Sequence, residues 1–168
     1  MTTCQRISFL LLLCILGCKE IEKDKAPAAP SDRLFDKVRL TDLENNSIDL
    51  KQYNGKTVFL NFWATWCKPC IVEMPSIEKV QNILKNEEIV FLMASSEMVE
   101  EINAFKVNNK YKFAYARIEN SEEIGIQALP TTFIFNAEGN LVFSEMGFRK
   151  WDDTGNINMI RTIINKND

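Results

Sequence analysis

The chain has 168 residues, of which 46% are hydrophobic and 26% charged, and its formal net charge is −3. That suits one domain with a short appendage, carries too much charge for a polytopic membrane protein, and lacks the basic excess of a nucleic-acid binder. Histidine is absent, which excludes Ser-His-Asp and Cys-His catalysis and histidine-ligated metal sites.

Residues 1–17 read as a signal peptide. Arg6 supplies the positive region, and Ile7 to Leu16 form an apolar run of signal length, too short to span a bilayer comfortably. Ile15-Leu16-Gly17-Cys18 resembles a bacterial lipobox, which implies cleavage after Gly17 and lipid on Cys18. An ordinary secretory signal or a short anchor is the alternative. With lipidation, Cys4 and Cys14 are lost and Cys18 is blocked, leaving Cys67 and Cys70 as the free thiols. Residues 18–34 read as the lipidated cysteine and a flexible tether. Lys19 to Asp24 is almost wholly charged, and Ala26-Pro27-Ala28-Ala29-Pro30-Ser31 cannot bury apolar surface. The charged run also resembles surface-export signals of some Bacteroidetes lipoproteins, and a solvated linker explains it equally well.

Residues 35–168 are expected to form the domain. Val38-Arg39-Leu40 and Ser47 to Leu50 alternate around the turn residues Glu44-Asn45-Asn46, which predicts an opening hairpin. The apolar run from Val58 reads as a buried strand that stops at Thr65-Trp66. A helix follows from Cys67 to about Lys85, with Ile71, Met74, Ile77, Val80 and Leu84 in a stripe and a kink expected at Pro75. Residues 89–94 form a second buried strand, Glu97 to about Asn108 a helix with Ile102 and Phe105 inward, and Tyr111 to Arg117 a short strand. Ser121 is placed to cap a short helix through Gly125. Asn136 to Asn140 makes a hairpin turn with Gly139, and Leu141-Val142-Phe143 returns as an edge strand. Asp152 or Asp153 caps the last helix, which turns Ile157, Ile160, Ile163 and Ile164 inward.

The chemistry concentrates at Trp66-Cys67-Lys68-Pro69-Cys70. Cysteines three apart on a helix share a face, and their Cβ atoms can approach the ~3.5–4.5 Å a disulfide requires. Cys67 is placed at the helix N-terminus, where free N–H groups and the dipole favour an anion, lower the thiol pKa and make a nucleophile. A structural disulfide is the plainer alternative. A zinc site needs more ligands than these two.

The stretch Asn61-Phe62-Trp63-Ala64-Thr65-Trp66-Cys67-x-x-Cys70, followed by Glu73-Met74-Pro75, resembles the active site of thioredoxin-fold thiol–disulfide oxidoreductases. It is most similar to their extracytoplasmic TlpA/ResA-like branch, and Ala128-Leu129-Pro130-Thr131-Thr132 extends the likeness. The resemblance covers about residues 35–168. It implies an α/β, thioredoxin-like fold: a central mixed β-sheet flanked by helices, with an N-terminal β-hairpin and a mid-domain helical insertion.

It further implies that Cys67, exposed at the helix start, is the nucleophile and that Cys70 resolves the mixed disulfide. Pro130 is expected in cis, facing them. Asn61 stands where plain thioredoxins carry a buried acid. An amide cannot titrate, and the branch implies that Glu73 takes over proton exchange; a surface glutamate or an acid favoured by the helix dipole in the first turn is the alternative. The candidate substrate-binding residues are Trp66, Lys68, Pro69, Leu129, Pro130 and Thr131. Lys68 lowers the Cys67 pKa or is simply solvated.

The implied protein is a monomeric, lipid-anchored enzyme of the bacterial cell envelope, extracytoplasmic, with no metal and no cofactor beyond the Cys67–Cys70 pair. Its partners are exported proteins with disulfides, apocytochrome c among them, and a membrane thiol donor. A disulfide oxidase or isomerase, or a non-catalytic lipoprotein that keeps the fold, are the alternatives, because C-x-x-C does not set the direction of exchange.

Overall fold

The computed structural model describes residues 33–166. The expected signal peptide, Cys18 and the tether up to Ser31-Asp32 lie outside the described residues.

The sheet is built around β3 (Thr57–Phe62), all of whose residues are buried. It pairs in parallel with β4 (Ile89–Ser95) and antiparallel with β6 (Thr131–Phe135). β4 continues in parallel to β5 (Ala114–Ile118), and β5 meets the hairpin of β1 (Leu40–Thr41) and β2 (Ser47–Ile48) antiparallel. β7 (Leu141–Met146) closes the other edge against β6, giving the order β2-β1-β5-β4-β3-β6-β7. Parallel neighbours require crossovers. α2 (Lys68–Ile83) carries β3 to β4, and α3 (Val99–Asn108) carries β4 to β5 as the mid-domain helical insertion. α4 (Thr154–Asn165) ends the domain. Among the described residues no helix is long and apolar enough to cross a membrane.

Because β3 is covered on both faces, its side chains feed two clusters. Phe59 and Trp63 pack with Met74 and Ile77 of α2, Phe105 of α3, Trp151, and Ile160 of α4. Val58, Leu60 and Phe62 pack on the other face with Phe133, Phe135, Leu50 and Phe35. Phe35 belongs to a short helix, α1 (Leu34–Lys37), that the sequence does not announce. Its ring meets Phe135 edge-on with centroids 5.2 Å apart. It also lies over Gly139 of the β6–β7 turn, where φ is +77° and an added Cβ would sit 2.8 Å from the ring. Glycine is the residue that tolerates both conditions. Arg33 Nη1 donates to the carbonyl of Glu138 in the same turn.

Four sequence expectations are corrected. The opening hairpin is shorter than its alternating pattern and is lost at the end away from the turn, because the Arg39 N–H goes to Asn120 Oδ1 and Asp49 caps a 3-10 turn over Leu50–Tyr53 by accepting the Lys51 N–H. Residues 121–125 form turns, not a helix capped by Ser121. There Asn120 decides the path, its side chain accepting from Arg39 N and donating to the Lys37 carbonyl, and Gly125 turns at φ +81°. α2 runs unbroken through Pro75 and stops at Ile83. α3 begins at Val99, since Glu97 is engaged elsewhere and Glu101 takes the Met98 N–H at 3.0 Å.

Candidate active site

Residues 63–67 link the end of β3 to α2. Trp63 N–H donates to the Ala94 carbonyl of β4 at 3.0 Å, and Cys67 N–H donates to the Ala64 carbonyl at 3.1 Å. The second bond closes a tight turn, Ala64 to Cys67. Cys67 is the N-cap of α2, and Lys68 and Pro69 are its first two residues. Proline fits there, because its missing N–H would have no helical partner. Cys67 and Cys70 are joined as a disulfide with Cα atoms 5.3 Å apart. Cys67 Sγ also accepts the Cys70 N–H at 3.3 Å. The helix therefore points an otherwise orphaned donor at the sulfur that would become a thiolate.

The sequence leads one to expect an exposed Cys67, yet it is 4% exposed and Cys70 is 1% exposed. In the oxidised state the Cys67 sulfur is bonded to a buried partner and drawn in over the first helical turn. The side chain that stands out is Trp66, 73% exposed.

One turn beyond Cys70, Glu73 points into the sheet and is 1% exposed. Its Oε1 accepts from Asn61 Nδ2 at 2.8 Å and its Oε2 from the Arg149 main-chain N–H at 3.1 Å. Burial pushes its pKa up to about 7, while the Arg149 N–H, the Asn61 amide and the nearby Trp151 indole pull the other way. The indole N–H makes no well-formed hydrogen bond of its own. The surface-glutamate alternative is thus excluded. Asn61 also donates to Thr132 Oγ1 at 2.9 Å, and its Oδ1 has no partner. An amide at this position spares Glu73 a second buried charge.

The Leu129–Pro130 peptide bond is cis. Thr131 pairs with Phe62, so Pro130 lies at the sheet end from which the redox loop emerges. The Pro130 carbonyl accepts the Gly147 N–H at 2.8 Å. Thr131 turns its hydroxyl back to the Ala128 carbonyl at 2.7 Å and is buried. Leu129 and Trp66 line a cleft of about 240 Å³ floored by Phe62, Trp63 and Ile118. Lys68 and Pro69 border a separate apolar hollow with Val72 and Phe148. Four of the six candidate substrate-binding residues are therefore divided between two neighbouring surfaces, while Pro130 and Thr131 are buried and line neither.

The family model described as Redoxin matches residues 22–160. The chain belongs to the redoxin family. Within it, the chain is 32% identical over 143 residues to a thiol-disulfide oxidoreductase ResA of Geobacillus thermodenitrificans, covering 80% of this chain and 81% of that one. It is 35% identical over 107 residues to a ResA of Bacillus thuringiensis subsp. konkukian, covering 61% and 62% of the two chains. The chain thus spans about three-fifths of the length of that second relative. Among solved structures, a thiol-disulfide oxidoreductase from Bacteroides vulgatus superposes with a TM-score of 0.65 at 23% identity, over 74% of this chain and 90% of that one. This last likeness speaks for the fold alone. The Geobacillus relative places this redoxin in the TlpA/ResA-like, thioredoxin-fold branch.

Three residues of this redoxin's site escaped the sequence reading. Arg149 and Gly147 contribute through the main chain, which no side-chain pattern marks. Glu97 binds Thr65 within the redox loop. Its one sequence signal is its place, an acid just past the end of a buried strand.

Proposed function

We propose that the protein is an envelope thiol–disulfide oxidoreductase working as a reductase of disulfides in exported proteins. The observation that carries this is the Cys67–Cys70 disulfide at the N-terminus of α2, with the buried Glu73 one turn on.

In the reduced protein, the Cys67 thiolate attacks one sulfur of a substrate disulfide. That bond breaks, a Cys67–substrate disulfide forms, and the departing sulfur takes a proton. Cys70, deprotonated in turn, attacks Cys67 Sγ. The Cys67–Cys70 bond forms and the second substrate thiolate leaves and is protonated. Two electrons and two protons pass from the dithiol to the substrate. Glu73, which titrates near neutral pH, exchanges the Cys70 proton. Trp66 and Leu129 receive the polypeptide beside the cysteine under attack, and the cis Pro130 shapes that approach.

Lipid on Cys18 would hold the domain at the membrane, and a membrane thiol donor would return it to the dithiol. Apocytochrome c, which must be reduced before haem attachment, is a fitting substrate. The test is an insulin-type reduction assay on wild type and Cys67→Ser, with the equilibrium potential of the pair. Activity lost in Cys67→Ser and a potential near about −270 mV support a reductase. Equal activity in the two proteins removes the enzymatic reading, and a potential near about −120 mV makes the protein a disulfide donor.

A further inference from the structure

We propose that Glu97 is a positioning residue for thiol exchange: its carboxylate clamps Thr65 and thereby fixes the turn that presents Cys67. The proposal rests on the exchange chemistry above.

Glu97 lies between β4 and α3, far in sequence from the redox loop. Both of its oxygens go to one residue. Oε2 accepts the Thr65 N–H at 2.7 Å and Oε1 accepts the Thr65 hydroxyl at 2.6 Å. Ser95 Oγ adds a third bond, to Oε2 at 2.9 Å, and also accepts the Glu97 N–H at 3.2 Å, bracing the carboxylate from β4. Bonds to an ionised acceptor are short and about twice as strong as neutral ones.

A capping role does not account for this carboxylate. Met98, not Glu97, is the N-cap of α3, and its N–H is served by Glu101. The charge of Glu97 is directed at neutral donors of the redox loop.

The loop needs such a tie. Trp63 and Cys67 find main-chain acceptors, at Ala94 and Ala64. Thr65 sits between them as the first inner residue of the Ala64–Cys67 turn, and its N–H acceptor is this carboxylate. The two residues that follow are the exposed Trp66 and the N-cap Cys67. A turn loosened at Thr65 moves both. Cys67 then leaves the position where the Cys70 N–H meets its sulfur, which is the local support for a thiolate.

The test uses the full chain, reduced, as wild type, E97A and E97Q. The glutamine of E97Q can keep the pattern, accepting the Thr65 N–H and donating to its hydroxyl oxygen. Two rates are read at pH 7: first alkylation by iodoacetamide, and kcat/KM for insulin disulfide reduction. E97A is expected to lose about tenfold in both, and E97Q to stay within about twofold of wild type. A lowered melting temperature with unchanged alkylation in E97A would make Glu97 merely structural and overturn the proposal. So would an E97Q as slow as E97A, since charge rather than the held turn would then be responsible. If E97A does not fold, T65A removes one bond of the pair and is expected to lose about threefold; a wild-type rate there overturns the proposal equally. A wild type that reduces no insulin defeats the reductase reading, while the alkylation rates still judge the clamp.

Discussion

Replacing Glu73 with glutamine should flatten the pH dependence of stability. The unfolded carboxyl titrates near 4.5 and the folded one near 7, because burial disfavours the charge. Between those values the folded protein holds a proton that the unfolded chain has already released. The carboxyl's contribution is therefore complete below pH 4.5, declines as the pH rises, and is lost once the pH passes about 7. The gap corresponds to on the order of 3 kcal/mol, or about 10 °C in melting temperature for a domain of this size. In E73Q the side chain stays neutral at every pH. Its amide oxygen can take the Arg149 N–H, and its NH₂ can face Asn61 Oδ1, which now lacks a partner, after that amide turns over. E73Q should match wild type near pH 4.5 and melt up to about 10 °C higher at pH 8. Thermal denaturation of the oxidised protein across pH 4.5–8.5 reads this directly. Parallel curves for the two proteins would refute it, and with it the near-neutral titration that the proton-exchange role requires.

Cys70→Ser should still attack a substrate disulfide but leave the mixed disulfide unresolved, so a covalent complex accumulates on non-reducing gels, whereas Cys67→Ser forms none. Trp66→Ala should change stability by no more than about 0.5 kcal/mol, since the ring is largely in solvent. It should nonetheless lower kcat/KM for a protein disulfide by about fivefold while leaving a small symmetric disulfide unaffected. Gly139→Ala must adopt φ +77° and meet the Phe35 ring, and should cost about 2–4 kcal/mol by denaturant titration. Met74→Ala, fully buried beneath the sheet-facing side of α2, should cost about 2–5 kcal/mol by the same method.

What could be read from the sequence follows from how many neighbours each residue's role involves. β3 and β4 are covered on both faces, so they appear as continuous apolar runs, and the stripe of α2 repeats at helical spacing. Cys67, Cys70 and Glu73 follow at three-residue spacing along that one helix, so their nearness was legible locally, whereas the role of Glu73 came from the family resemblance and its burial only from the packed sheet. Roles that depend on a distant segment were hidden. The Phe35 helix is four residues long and is held by Gly139 and Phe135 from the far end of the chain. Ser121 had a capping residue's chemistry, but the Asn120 amide, tied to Lys37 and Arg39, took the chain another way. Glu97 looked like the first acid of a helix, yet its side chain had a stronger use across the loop at Thr65.

The packing of Phe35 on Gly139 also settles which pole of the domain the chain enters. Phe135, beneath that contact, pairs with Val58 at the start of β3, whereas Cys67 follows the end of β3. Entry point and disulfide are thus separated by the length of that strand, about 20 Å at ~3.3 Å per residue. Attaching a tag or a solid support at the Arg33 end would therefore leave the disulfide pole clear for thiol exchange.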